Sequence, residues 1–417
     1  MTEPIPKTPL KHFRISDLRG IARLATQATG GVTTIVEGLH QSVWSTLGVS
    51  GSQEPGRTGG ITGAVYRGVH TVTQLLGEGV DTVLSGLESL IDFGDDSKIE
   101  TPEREAVLAA LNGVIGDRLL ADNNPFATPM TLRYRGEPLD WQAPPSIPEA
   151  TGKILVLIHG LCMNDLQWHT QIEGRVVDHG EALAVALAYT PVSVRYNSGL
   201  HTSENGRELA ARLEELVTHW PVAVEELTVL AHSMGGLLIR SAIHSATRAG
   251  LSWPDHLKNI VFLGTPHHGA PLEKAGNWVD VVLGSTTYTA PFATLGALRS
   301  AGITDLRFGH LLDEDWQGRD RFDHTPDTRQ VVPLPEGVAC YAVAATTASK
   351  RGFMADRLMG DGLVLVASAL GEHDEKGRDL GFSASSQCIQ YGMNHLDLLR
   401  SPSVTRQILR WLTPVTL

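Results

Sequence analysis

The 417-residue sequence carries 34 Lys and Arg against 46 Asp and Glu, a formal net charge of −12, with 42% hydrophobic and 19% charged residues. A chain of this size can bury one large core or two smaller ones. Its apolar content excludes a disordered ground state, and its acidic balance argues against a nucleic-acid partner, which needs clustered Lys and Arg.

Cys162, Cys340 and Cys388 are odd in number and far apart, which excludes a disulfide framework and CxxC metal spacing and fits a reducing compartment. Residues 1–16 lack the apolar stretch of a secretory signal. No run reaches the ~18 apolar residues of a bilayer span. A soluble, cytoplasmic protein is expected.

Residues 1–125 read as a helical region. Segments 15–27, 32–47 and 61–91 space Val, Leu and Ile as helices do, with a glycine-containing loop at 48–60. Lys7, Lys11, Arg14, Arg19 and Arg23 would give the first segment a basic face. A packed helix with a solvated charged face accounts for them, and recruitment to a lipid or polymer surface is the alternative. Thr101-Pro102 opens a further helix to about residue 120, which Asn123-Asn124-Pro125 ends.

From residue 126 to the end, short β-rich runs alternate with helical patterns, which predicts a mostly parallel sheet with helices on both faces. Strands are expected at 130–135, 153–159, 192–196, 227–231, 260–263, 338–345 and 387–391. The all-apolar run 154–158 reads as a central strand buried on both faces. Asn205 followed by Glu208 resembles a capping box opening a helix, with Leu209, Leu213, Leu216, Val217 and Trp220 on one face. A helix over 235–247 follows Ser233. The final helix opens at Ser401-Pro402 and turns Val404, Ile408 and Trp411 inward. The 70 residues 267–336 exceed an ordinary βα loop of ~2–6 residues, so they are expected to form a cap or lid insertion.

A serine nucleophile needs a base, a group that orients the base, and donors for an oxyanion. Strand 227–231 runs directly into His232-Ser233-Met234-Gly235-Gly236 and then a helix. This is the strand-turn-helix context in which a serine between small residues at −2 and +2, here Ala231 and Gly235, becomes a nucleophile. His395, just after the last strand, is the expected base; His373 lies in a charged loop. Among Asp356, Asp361, Glu372, Asp374 and Asp379, the preferred acid is Asp361, set between Gly360 and Gly362 and followed by Leu363-Val364. A turn-capping role is the competing reading for it. The backbone N–H groups of Met234 and Leu161 are the candidate oxyanion donors, and His159 is expected to hold its own loop through backbone contacts.

His159-Gly160-Leu161, Ala231-His232-Ser233-Met234-Gly235-Gly236, Leu263-Gly264-Thr265-Pro266-His267-His268-Gly269, Gly360-Asp361-Gly362-Leu363-Val364 and His395-Leu396-Asp397 together resemble bacterial triacylglycerol lipases and PGAP1-like esterases of the α/β-hydrolase superfamily. The resemblance spans about residues 130–417. It implies ester hydrolysis, with Asp361 as triad acid and His395 as base. Some of those lipases hold a structural calcium at the place of Asp397. Asp313-Glu314-Asp315-Trp316-Gln317-Gly318 begins like a calcium loop, but His324 stands where a bidentate Glu is needed. No metal and no cofactor are therefore expected.

The expected reaction is that of a serine carboxylic-ester hydrolase working through an acyl-enzyme on a small-molecule or lipid ester. Trp278, Val279, Val281, Val282, Leu283, Tyr288 and Phe292 fit a hydrophobic acyl or alcohol group and fit a core role equally well. A thioesterase, amidase or acyltransferase on the same triad is the alternative chemistry. A non-catalytic binding module is the alternative class. The sequence does not specify an oligomeric state.

Overall fold

The computed structural model describes residues 100, 102–142, 147–172, 175–270, 300–318, 329–350, 352 and 360–413. The helices expected before residue 100, the apolar residues 278–292 of the expected cap, Asp356 and His324 lie outside the described residues. The chain divides into two compact units, Met1–Thr128 with Val279–Leu298, and Pro129–Trp278 with Arg299–Leu417. In the first, α1 (Pro102–Ala121) carries a kink at Ile115. The Asn112 amide donates to Leu108 O and Phe126 O and accepts from Thr128 N, which ties the outgoing chain back to the helix.

The second unit is built on one sheet. Its elements run β1 (Thr131–Tyr134), β2 (Glu137–Pro138), β3 (Lys153–Ile158), the hairpin β4 (Thr170–Ile172) and β5 (Arg175–Val177), α2 (His179–Leu187), β6 (Thr190–Arg195), α3 (Thr202–His219), β7 (Glu226–His232), α4 (Met234–Ala249), β8 (Leu257–Leu263), α5 (Ala301–Phe308), α6 (Asp313–Trp316), β9 (Ala339–Thr346), α7 (Val366–Ala369), β10 (Gln387–Tyr391) and α8 (Pro402–Leu412). The eight-stranded order is β10-β9-β8-β7-β3-β6-β1-β2, and β4-β5 stands apart. Strands β6, β3, β7, β8, β9 and β10 are parallel, while β1 is antiparallel to β6 and β2.

Side-chain alternation assigns the two faces. Leu155, Leu157, Leu230, Val261, Leu263, Val343 and Ala345 share one cluster with Leu183 of α2 and Val404, Ile408 and Leu412 of α8. The alternate residues point the other way, where Ile158 Cγ2 would lie 2.9 Å from a Cβ added to Gly235 of α4. Here α3 crosses α4 so closely that a Cβ on Gly206 would sit 2.3 Å from Ser241 Oγ. β3 is buried along its apolar run as the sequence indicates, and truncating Ile158 to Ala there would cost ~2–5 kcal/mol through lost transfer energy and a cavity. A mostly parallel sheet with helices on both faces and a sharp strand-turn-helix at its centre is the α/β-hydrolase fold.

One element starts earlier than the sequence suggests. α3 begins at Thr202, with Asn205 inside it, buried and donating to Asn197 O at 2.9 Å. Glu204 accepts from His201 N at 3.2 Å, and Asp305 of the inserted segment accepts from Thr202 N at 2.8 Å. A carboxylate from a distant segment thus caps the helix, which no local pattern reveals. Trp411 is half-buried, stacked on Tyr341 at 4.9 Å, so it contributes less to the core than Val404 and Ile408. No described helix is long and apolar enough to cross a membrane.

Candidate active site

The chain leaves β3 for β6 on one side of the sheet and returns to β7 on the other. Ligands bind at such a reversal, outside the carboxyl ends of the strands, because two loops diverge there and leave a crevice. The loops in question are His159-Gly160-Leu161 after β3 and Ser233 after β7.

Ser233 has φ +56° and ψ −123°, a conformation a side chain rarely adopts, held at a cost of order 1–3 kcal/mol. Its N–H donates to Leu263 O at 2.8 Å, pinning the turn to β8. The turn closes only because its neighbours lack side chains: a Cβ on Gly235 would sit 2.6 Å from Ile158 O, and one on Gly236 2.0 Å from Thr265 Oγ1. Ser233 Oγ is buried and has no hydrogen-bond partner among the described residues.

Asp361 occupies a tight turn closed by the bridge between Gly360 and Leu365, with Gly362 at φ +98°. Its Oδ1 accepts from Leu363 N at 2.9 Å and Val364 N at 2.8 Å. Oδ2 pairs with His395 Nδ1 at 2.6 Å, and His395 N donates to Asp361 O at 3.1 Å. Asp361 therefore caps its turn and orients the histidine at once. Its rivals Glu372, Asp374 and Asp379 are exposed. His373 accepts from Glu375 N at 3.0 Å within its own loop.

Two contacts join the serine to this pair. Leu263, whose carbonyl holds Ser233, is followed by Gly264 at φ +59°, where an added Cβ would lie 3.1 Å from His395 Cε1 and Nδ1. The ring of His232, the residue before the nucleophile, lies 4.7 Å from that of His395. His232 Nε2 donates to His395 O at 3.3 Å. Burial, with His395 beside it, holds His232 well below the ordinary value of 6.5, so the ring is neutral. The sequence gives no signal for either contact beyond the adjacency of His232 to Ser233.

Gly160 is where the β3 loop meets the nucleophile: an added Cβ would stand 3.0 Å from Ser233 Cβ and 3.1 Å from His232 Nδ1. The loop is held from behind. His159 Nδ1 donates to Gly160 O at 2.8 Å, its Nε2 accepts from Tyr196 N at 3.3 Å, and Tyr196 Oη donates to His159 O at 3.0 Å. Burial lowers His159 to about 4, so it is a neutral brace, as expected of it. Cys162 N donates to Ser198 Oγ at 3.0 Å. Met234, the first residue of α4, has an N–H with no carbonyl to bond inside the helix.

Asp397 sits two residues beyond His395 with both oxygens engaged. Oδ1 takes Arg400 Nε at 2.9 Å, and Oδ2 accepts from Asn394 N at 2.9 Å, completing a capping box. Among the described residues no three His, Cys, Asp or Glu side chains cluster as a metal site.

Residues 124–306, less than half of the chain, match a family model described as a domain of unknown function, DUF7379. No curated protein matches the sequence. Among solved structures, the chain is similar to Bacillus licheniformis lipase BlEst2 in mature form, at 18% identity over 69% of this chain and 100% of that one, TM-score 0.40. It is similar to Aspergillus fumigatus lipase B at 11% identity over 93% and 83% of the two chains, TM-score 0.41. A lipase-esterase related protein of Clostridium acetobutylicum is a third, at 12% identity over 63% and 96%, TM-score 0.35.

Proposed function

We propose that this chain is a serine carboxylic-ester hydrolase of the esterase or lipase type, acting through an acyl-enzyme on Ser233. The reading rests on one arrangement: Leu263-Gly264 holds the strained Ser233 turn on one side and abuts the His395–Asp361 pair on the other. In the first half-reaction His395 Nε2 takes the Ser233 hydroxyl proton as Oγ attacks the ester carbonyl. The C–O bond to the alcohol then breaks, and the alcohol leaves with that proton. Water repeats the sequence in reverse and returns the free serine and a carboxylic acid.

Asp361 fixes the tautomer with the proton on Nδ1 and stabilises the imidazolium, and the Met234 and Leu161 N–H groups receive the developing oxyanion. The substrate we infer is a hydrophobic ester. The test is turnover of p-nitrophenyl esters of increasing chain length, with acyl-CoA and anilide substrates alongside and fluorophosphonate labelling of Ser233. Wild type should hydrolyse esters and take the label, and Ser233→Ala should do neither. Undiminished turnover in Ser233→Ala would overturn the proposal.

A further inference from the structure

The buried face of α4 carries a cation that ester hydrolysis does not use. Arg240 lies seven residues beyond Ser233, about 10 Å further along the helix at ~1.5 Å per residue, and is 4% exposed. Its Nη1 donates to His267 Nδ1 at 3.3 Å, and Nη2 donates to Val332 O. Its Nε–H has no acceptor among the described residues. Burial is the largest influence on it and lowers it to about 10, and Arg329 adds to that. A buried guanidinium without a carboxylate is costly, because the lost hydration is not replaced by an opposite charge.

His267 sharpens the point. A guanidinium only donates, so His267 Nδ1 must accept and the ring proton must sit on Nε2. That N–H, on a side chain 1% exposed, also lacks an acceptor among the described residues. Two buried donors thus await an acceptor, and both residues line one cavity with His268, Arg329 and Arg378. Among the described residues no acidic side chain lines it, although Arg378 Nε donates to Glu375 outside the lining at 2.9 Å. The cavity is small, with about 20 Å³ open to the centres of water-sized groups. Val331 at the same cavity is 52% exposed, which leaves a route from solvent.

We propose that this cavity binds a small oxyanion, a carboxylate or a phosphate, through Arg240 and His267, with Arg329 and Arg378 at its edge. His267 stands three residues after Gly264, so an occupant would brace the loop on which the His395 ring rests. The oxyanion has two possible sources, a free ion or the anionic end of an ester substrate.

Thermal unfolding of the full chain in inorganic phosphate, acetate and sodium chloride at matched ionic strength tests the site without reference to activity. Phosphate or acetate should raise the midpoint by roughly 2–4 °C over chloride, because a ligand that binds only the folded state stabilises it. Arg240→Met, which keeps the volume and removes the charge, should lose that response, and so should His267→Phe. Equal midpoints in all three salts, or a response that survives in both variants, would overturn the proposal.

The second arm rests on the ester-hydrolase reading and compares KM for p-nitrophenyl hemisebacate, whose free carboxylate can lie as far from the ester carbonyl as Arg240 does from Ser233, with KM for the neutral p-nitrophenyl decanoate. A rise of tenfold or so in Arg240→Met for the acid-bearing ester alone assigns the oxyanion to the substrate. An unchanged ratio with a thermal response assigns it to a free ion. Absent turnover with an intact thermal response removes the hydrolase reading and leaves the site.

Discussion

Replacing Asp361 by Asn separates an orienting role from a turn-capping one. The Asn carbonyl can still accept from Leu363 N and Val364 N, so the turn that Asp361 Oδ1 now holds at 2.9 and 2.8 Å survives. The other half of the side chain becomes an amide donor facing His395 Nδ1, where Oδ2 now accepts at 2.6 Å. His395 must then present a lone pair at Nδ1 and carry its proton on Nε2, which leaves it unable to take the Ser233 proton. A loss of about 10⁴ in kcat follows, equivalent to ~5 kcal/mol of transition-state stabilisation. KM should stay within a few-fold, because Asp361 is buried and its Oδ2 faces His395. Stability should change by less than ~1.5 kcal/mol, since one hydrogen bond is exchanged for another. Initial rates with p-nitrophenyl butyrate and a parallel thermal melt measure both quantities. If Asp361→Asn keeps activity within tenfold of wild type, Asp361 is only a turn cap and the base is oriented by something else.

Ser233→Gly should abolish turnover and raise the melting point, because glycine relieves about 1–2 kcal/mol of positive-φ strain; a lower melting point would mean the turn stores none. Gly264→Ala should cut kcat and cost about 1–2 kcal/mol of stability, since it places a methyl at φ +59°, 3.1 Å from the His395 ring and 2.8 Å from Leu398 Cδ1; unaltered kcat would show that the ring can yield. Asp305→Asn should destabilise the chain in a pH-dependent way. Burial pushes the Asp305 carboxyl up, but hydrogen bonds from His201 and His310 outweigh it and hold it below the ordinary 3.8. A lowered carboxylate contributes stability above its ordinary value and loses it as pH falls through the lowered one. The gap between wild type and variant, read from denaturant melts, should therefore be full near pH 6 and narrow below pH 4. A gap that is constant with pH would refute this account.

What could be read from the sequence was whatever depends on neighbours along the chain. The turn at Ser233 was legible because an apolar strand, a small-residue frame and a helix follow one another without interruption. Asp361 was legible because its glycines announce a tight turn, and His395 because it directly follows the last strand. The contacts that bring these residues together join positions far apart. Gly264 against His395, and His232 donating to His395 O, depend on β8 lying next to β7, and strand order leaves no trace in local pattern. The start of α3 escapes local pattern for the same reason, since its cap, Asp305, is about a hundred residues away. Nothing in the local pattern of α4 distinguishes Arg240. Its burial follows from segments 267–268 and 329–332 closing over it, which composition does not foretell.

The anchoring of α3 by Asp305 also bears on any attempt to exchange the insertion between β8 and β9. Beyond that cap, Trp316 donates to Ser203 Oγ at 3.0 Å and stacks on His201 at 3.6 Å, Ser241 Oγ donates to Leu311 O at 2.7 Å, and a Cβ on Gly302 would meet Ser198 O at 2.0 Å. Residues 300–316 are foundation for the helical layer over the sheet, although by sequence they belong to the insertion. A graft that replaces the insertion should therefore begin after Ala270 and rejoin before Ser300. One that runs through to residue 336 would remove the joint that starts α3.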